Sequence, residues 1–346
     1  SGLLKKVREQ LTAEGISFVE LGGVVPNPRV SLVRKGIEIC RKEKVDFILA
    51  VGGGSVIDSS KAMSIGVPYQ GDVWDFYIRK AFTTTCLPIG CVLTIPAAGS
   101  EMSLGSVISN DENGLKKDYC INEFRCKFAI MNPERTYTLP AWQTACGAVD
   151  MMMHTMERYF GASDENMICD EWALSLLKHE VENARIAYKN PTDYNAQANL
   201  MLDSSLSHDG LTAIGKIKSP FVVHALEHAV SGYKPDVTHG AGIAICYLGW
   251  AKYVYKKDLK KFATLGRKLF NIEEQNDEKA SIIGIEAMRD FYISLGIPTT
   301  LREVGITESD LPELVRLASC NGTRVIGLYP QPLNESDIEA VYALCL

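Results

Sequence analysis

No two of the ten cysteines stand at Cys-x-x-Cys spacing, which removes a zinc-ribbon reading. Disulfide frameworks belong mainly to short secreted chains, so at 346 residues these cysteines are expected as reduced, mostly buried thiols in a cytoplasmic protein. Positive charge is not in excess: a net charge of −6 offers no broad cationic field to nucleic acid or to an anionic membrane. No apolar run is long enough to span a bilayer, and no signal-peptide pattern opens the chain. Histidine is missing outside one window, His154 to His239, which holds all six. What is present, 46% hydrophobic and 23% charged residues, is the make-up of a globular protein. The length exceeds one ordinary core and predicts two domains.

The first part of the chain alternates between helix and strand patterns. Leu3, Leu4, Val7 and Leu11 form one stripe of a helix over 3–14, residues 16–21 suggest a strand, and 30–44 suggests a second helix. The run Asp46 to Val51 is mostly apolar, as a buried parallel strand requires. Gly52-Gly53-Gly54-Ser55 follows at once, and a helical pattern starts at Val56. This rhythm predicts a doubly wound α/β domain. Its Gly-rich turn lies at a strand's carboxyl end, where such sheets bind ligands. Bare N–H groups at a helix start suit a phosphate. The turn is neither G-x-G-x-x-G nor a P-loop, and a tight turn without ligand is the commoner meaning of three glycines. Ser55 and Asp58 have capping-box spacing. Further strands are expected at 87–94, 105–109 and 128–131, with a loop of small residues at 95–101. Lys116 and Lys117 fall in an expected loop at 110–117; either could reach a phosphate, although a solvated charge is the commoner role there.

After Leu139-Pro140 strand patterns largely disappear. Helices are expected at 142–160, 164–189, 194–207, 219–230, 243–255, 259–269, 278–295 and 309–319. The domains are therefore 1–139, α/β, and 140–346, all-helical, with a ligand cleft expected between them. Asp150 and His154 stand i, i+4 on one helix, a spacing that puts side chains about 5–6 Å apart on one face. His224 and His228 repeat the relation, and His239 follows a Lys-Pro-Asp turn signal. One carboxylate with two or three imidazoles suits zinc or ferrous iron and leaves a coordination position open. One such pair alone is usually a solvated face or a cap. Two pairs and a further histidine in one window are harder to dismiss, but spacing does not say which two of His224, His228 and His239 bind. His179 and His208 have no partner at ligand spacing and are expected to be ordinary surface or core residues.

Several stretches resemble the iron-containing (group III) alcohol dehydrogenases, most of all their butanol dehydrogenase-like branch. They are Gly52-Gly-Gly-Ser-Val-Ile-Asp58-Ser-Ser-Lys61, Gly71-Asp-Val-Trp-Asp75, Leu93-Thr-Ile-Pro-Ala-Ala-Gly-Ser-Glu101, Asn132-Pro133, Thr136-Tyr-Thr-Leu-Pro140, Gly147-Ala-Val-Asp150 with His154, Ser207-His-Asp-Gly210, and His224 to Gly240. They run in family order across almost the whole chain, and the match is specific as a set. The resemblance implies a Rossmann-like α/β domain followed by an all-α metal-binding domain, a dehydroquinate synthase-like architecture. It implies Asp150, His154, His224 and His239 as ligands of Fe²⁺, or of Zn²⁺ in isolated protein. His228 would stand beside the nicotinamide as a proton relay. Gly53, Gly54 and Ser55 would cradle the pyrophosphate of NADP or NAD, and Asp58, Thr94, Ala98, Lys116 and Leu139 would line the rest of the groove. The implied reaction moves a hydride between NAD(P)(H) and a small primary alcohol or aldehyde, such as butanol or butyraldehyde. A cytoplasmic homodimer without nucleic-acid or membrane partners is expected.

Three positions depart from the family pattern: Ala98 for a common threonine, Asn132 for aspartate, and Asp209 for asparagine. The resemblance also places a strand and Gly-rich turn, which help choose between NAD and NADP, ahead of the helix that here begins at Leu3; the branch leans towards NADP. Competing expectations are a glycerol dehydrogenase-like polyol oxidoreductase, a dehydroquinate synthase-like lyase, and a non-enzymatic nucleotide- and metal-binding module. Structural zinc prefers cysteine, which disfavours the last.

Overall fold

The computed structural model describes residues 2–162, 167–216 and 221–346. The chain divides into two compact units, one of the residues up to Ile95 with Ser100–Leu139, the other of Pro96–Gly99 with Pro140–Leu346.

The first unit contains α1 (Leu3–Ala13), α2 (Val30–Lys42), β1 (Ile48–Gly52), α3 (Gly54–Gly66), the short α4 (Trp74–Tyr77), β2 (Ile89–Leu93), β3 (Gly105–Ser109), β4 (Lys116–Cys120) and β5 (Ala129–Met131). β1, β2 and β5 form a parallel sheet in that order, with Ile48 opposite Ile89 and Cys91 opposite Ala129. β2 is buried along its whole length, which explains why Ile-Gly-Cys-Val-Leu shows no alternation with charged residues. α2 and α3 contribute Val30, Val33, Ile37, Ala62 and Ile65 to a core shared with Phe76 and Tyr119. β3 and β4 form a separate antiparallel pair, Gly105 opposite Cys120.

α3 is tied to β3 by polar groups. The ammonium of Lys61 is wholly buried and donates to the carbonyls of Ser100 (2.6 Å), Ser103 (3.0 Å) and Gly105 (2.8 Å). Burial pulls its pKa down while nearby Asp58 opposes the shift. Asp58, one turn earlier, accepts from Ser100 Oγ at 2.5 Å and from the Val107 N–H at 2.9 Å.

Three expectations for this unit fail. Residues 16–21 join no ladder among the described residues, and 16–20 lie exposed: an apolar run needs a pairing edge before it becomes a strand. Lys116 and Lys117 open β4 and do not lie in a loop; Lys-Lys-Asp-Tyr-Cys has too much charge to look like a strand until the hairpin partner β3 is known. The Ser55/Asp58 capping box does not form. Gly53 is the N-cap of α3 without a side-chain cap, Ser55 is already inside the helix, and the Asp58 carboxylate is spent on Ser100 and Val107.

The second unit contains α5 (Ala141–Tyr159), α6 (Met167–Lys189), α7 (Tyr194–His208), α8 (Val222–Tyr233), α9 (His239–Val254), α10 (Leu259–Phe270), α11 (Asp277–Ser294), α12 (Leu311–Ala318) and α13 (Glu335–Leu344). The expected helix starts at 164 and 219 lie outside the described residues. α9 begins four residues earlier than expected, and α13 was not anticipated. α5 and α9 are buried on nearly every side, as central helices are. α5 packs against α6, α7 and α9, and α8 against α9 and α12. Residues 96–99 are pinned to α7 by Ser204 Oγ, which accepts from the N–H groups of Ala97 (3.1 Å) and Gly99 (3.0 Å). No helix among the described residues is long and apolar enough to cross a membrane. All ten cysteines are free, and five of them are buried.

Candidate metal centre

The second unit brings together the residues singled out for a metal. α5 supplies Asp150 and His154, α8 supplies His224 and His228, and His239 is the first residue of α9. Asp150, His154 and His224 are only 6%, 5% and 6% exposed. Asp150 Oδ1 lies 3.4 Å from His224 Nε2, 3.7 Å from His154 Nε2 and 3.8 Å from His239 Nε2. The ligand atoms of Asp150, His224 and His239 all lie within 4.8 Å of one another. Donors around one zinc-sized ion stand ~3–4 Å apart, given bonds of about 2.0–2.2 Å. Buried Asp150 Oδ1 and His224 Nε2 make no hydrogen bond. Such atoms carry a desolvation penalty that a shared cation removes. The donor set and its geometry therefore fit a divalent metal.

Local sequence explains how His239 arrives there. A Cβ on Gly240 would collide with the carbonyl of Cys146, so glycine lets α9 start directly against α5. A Cβ on Gly242 would stand 2.9 Å from Glu227 Cγ and 3.2 Å from its Oε1. Trp142 Nε1 donates to Thr238 Oγ1 at 3.2 Å and fixes the residue before His239.

Two carboxylates absent from the expected set complete the centre. Glu157 Oε2 accepts from His224 Nδ1 at 2.6 Å, and its Oε1 accepts from the Val223 N–H. Glu227, wholly buried, pairs through Oε2 with His239 Nδ1. Each carboxylate faces Nδ1 of its histidine, so both rings turn Nε2 inward toward Asp150 Oδ1. Glu157 had a signal in the sequence, one turn beyond His154; Glu227 stands beside His228. Neither spacing reveals the histidine that each holds.

Burial resists charge on His224, yet Glu157 and Asp150 together outweigh it and push its pKa up to about 9. The site therefore attracts positive charge, which a metal supplies in place of the proton. His154 moves the other way, well below the ordinary value, because of burial first and then its imidazole neighbours His208 and His224. Its ring stacks on His224 at 4.6 Å, and His208 meets it edge-on at 4.0 Å. His208 packs on the cluster through this ring contact, across a gap of 54 residues that spacing cannot see. His179 is apart from the centre and pairs with Asp203 at 2.8 Å. His228 lies at the edge, its ring 5.8 Å from that of His239 and 6.4 Å from that of His224.

In the first unit Gly53 joins β1 to α3 as the helix N-cap, and Gly54 and Ser55 are the first two residues of that helix. Thr94 follows β2 beside them and donates its N–H to Gly52 O at 3.1 Å. Asp58 is engaged as described, Lys116 is paired in β4 opposite Ser109, and Leu139 closes the unit. Ala98 belongs to the loop held by Ser204 in the second unit. Asn132 and Asp209 keep acceptor roles: Asn132 Oδ1 caps Glu134 N (3.0 Å), and Asp209 Oδ1 accepts from Leu211 N (2.7 Å).

An α/β unit with a glycine-rich strand-to-helix turn and a helical unit with a carboxylate–imidazole cage together fit the class of metal-dependent, dinucleotide-using oxidoreductases. Comparison with known proteins narrows this class. Residues 1–133 match the family model "Iron-containing alcohol dehydrogenase", and residues 144–346 match "Fe-containing alcohol dehydrogenase family, C-terminal". The chain belongs to the iron-containing alcohol dehydrogenase family. It is 39% identical over 344 residues to NADH-dependent butanol dehydrogenase A of Clostridium acetobutylicum, covering 99% of this chain and 88% of the relative. It is 32% identical to the NADPH-dependent aldehyde reductase YqhD of Escherichia coli, over 94% of this chain and 84% of that one. The crystal structure of NADH-dependent butanol dehydrogenase A from Thermotoga maritima superposes with a TM-score of 0.95 at 34% identity, covering 99% of this chain and 87% of that one.

Proposed function

We propose that the protein interconverts short-chain primary alcohols and aldehydes of the butanol/butyraldehyde type, with one divalent metal, iron in the cell, held by Asp150, His154, His224 and His239. The supporting observation is the group formed by Asp150, His224 and His239, whose ligand atoms lie within 4.8 Å of one another around a buried carboxylate oxygen with no hydrogen bond. When bound, the metal acts as a Lewis acid on the substrate oxygen, and NAD(P)H supplies the hydride. Asp150 would give the cage its negative charge and the imidazoles would add none, so a divalent ion held there would keep the positive charge that polarises a substrate oxygen. His228, at the rim and partly exposed, exchanges the remaining proton with solvent. Gly53, Gly54 and Ser55 are assigned to the dinucleotide phosphates, and the family pattern alone adds Asp58, Thr94, Ala98, Lys116 and Leu139 as cofactor residues. NADH is the favoured dinucleotide, because the butanol dehydrogenase relative at 39% identity is named for it. A cytoplasmic homodimer completes the reading; free cysteines fit a reducing compartment, and sedimentation velocity checks the dimer.

The test is an activity panel. Metal-stripped protein reloaded with Fe²⁺, Zn²⁺ or Co²⁺ is given NADH or NADPH and short-chain aldehydes. Asp150→Ala is expected to lose metal and turnover together. His228→Ala is expected to keep its metal and lose about 10²-fold or more in rate. Full activity in a metal-free Asp150→Ala protein would refute the assignment.

A further inference from the structure

The histidines of the cage are not held alike. The Nδ1–H of His224 is gripped by Glu157, whose two oxygens serve two donors, the other being the Val223 N–H. The Nδ1 of His239 meets Glu227, which occupies the space left by the missing side chain of Gly242. His154 has no such anchor: its Nδ1 is buried and makes no hydrogen bond. Its ring is fixed by packing, face to face on His224 and edge-on to His208. The same division appears in the ligand atoms. Asp150, His224 and His239 form one mutually close trio, and His154 joins only through its 3.7 Å approach to Asp150.

We propose that Glu157 and Glu227 are positioning residues that lock Nε2 of His224 and His239 onto the cation, and that His154 is the one exchangeable ligand. This rests on the metal reading above. Asp150 with the two locked imidazoles carries most of the affinity. His154 is held by ring packing alone, so its withdrawal breaks no hydrogen bond at Nδ1, and the ion could then take an oxygen donor in its place and still be retained. Fixing the tautomer from outside removes one competing state of each imidazole, in which the proton sits on Nε2 and the nitrogen cannot ligate. Glutamine is not conservative for Glu157, because its NH2 group only donates and would replace one of the two carboxylate oxygens that accept from His224 Nδ1 and the Val223 N–H.

The experiment follows Co²⁺ release from the loaded chain to a chelator, together with the visible Co²⁺ spectrum. Glu157→Gln and Glu227→Gln are each expected to weaken Co²⁺ binding about 10- to 100-fold and to shift the spectrum, with circular dichroism unchanged. His154→Ala is expected to retain Co²⁺ better than His224→Ala. The proposal is overturned if the glutamine variants hold Co²⁺ as tightly as the unaltered chain with the same spectrum. It is equally overturned if His154→Ala empties the site as completely as His224→Ala. Should Glu157→Gln fail to fold, Glu227→Gln carries the same test. If the unaltered chain takes up no Co²⁺, the metal reading itself has failed, an outcome separate from failure of the variants.

Discussion

Gly240 and Gly242 stand two residues apart and predict opposite kinds of damage. Alanine at 240 drives its methyl into the Cys146 carbonyl, a backbone atom of central helix α5 that cannot yield. Overpacking of that kind costs about 1–3 kcal/mol, and Gly240→Ala is expected to lower the urea midpoint accordingly. Alanine at 242 meets the Glu227 side chain, which can move. Here the gain in helix propensity, ~0.5–1 kcal/mol, offsets the strain, so folding stability is expected to change little. Metal affinity is expected to fall about tenfold as Glu227 leaves His239, which isothermal titration with Zn²⁺ measures. Retained Zn²⁺ affinity in Gly242→Ala would separate Glu227 from the site. The ligand candidates were legible because i, i+4 pairs report a shared helix face, and Asp150/His154 and His224/His228 are such pairs. Glu157 and Glu227 were not, since each acts on a histidine of another helix. The contact of His208 with His154 is hidden in the same way, because it joins α7 to α5.

α3 shows how a motif can be read correctly in place and wrongly in role. Its entry turn after β1 was visible as three glycines following an apolar run, yet the Ser55/Asp58 spacing suggested a cap that does not form. The second turn of α3 instead exports Asp58 and Lys61 to β3 and the segment before it. β4 escaped notice because its charge pattern makes sense only beside β3. α13 carries a signal that was there to use, the Asn334/Asp337 capping box. Lys61→Met tests what the buried ammonium does. It leaves the carbonyls of Ser100, Ser103 and Gly105 without their donor, at a cost of about 1–3 kcal/mol for each group left unsatisfied. Chemical denaturation is expected to show a loss of roughly 3 kcal/mol or more, while Zn²⁺ affinity stays near that of the unaltered chain. Parallel loss of Zn²⁺ binding would show that Lys61 supports the second unit as well.

The two units divide chemistry as well as backbone, and this makes ligand effects separable. All four proposed metal ligands and both anchoring carboxylates lie in Pro140–Leu346, while the Gly53–Ser55 turn lies in the first unit. A ligand that binds only the folded form stabilises it by about 2.7 kcal/mol at one hundred times its dissociation constant. For a unit of this size that corresponds to a rise of roughly 5–10 °C in its melting temperature. The protection gained should be local before it is global, because amides exchange through partial openings as well as complete unfolding. Zn²⁺ loading of the full chain is therefore expected to slow hydrogen exchange first in α5, α8 and the start of α9, where Asp150, His154, His224 and His239 sit. The amides of β1 and the start of α3 are expected to respond to NADH instead. Mass spectrometry of exchanged peptides, with metal and dinucleotide added singly, reads both effects in one experiment. If Zn²⁺ protected the β1–α3 turn and left α8 unchanged, the assignment of ion and phosphate to these two places would have to be reversed.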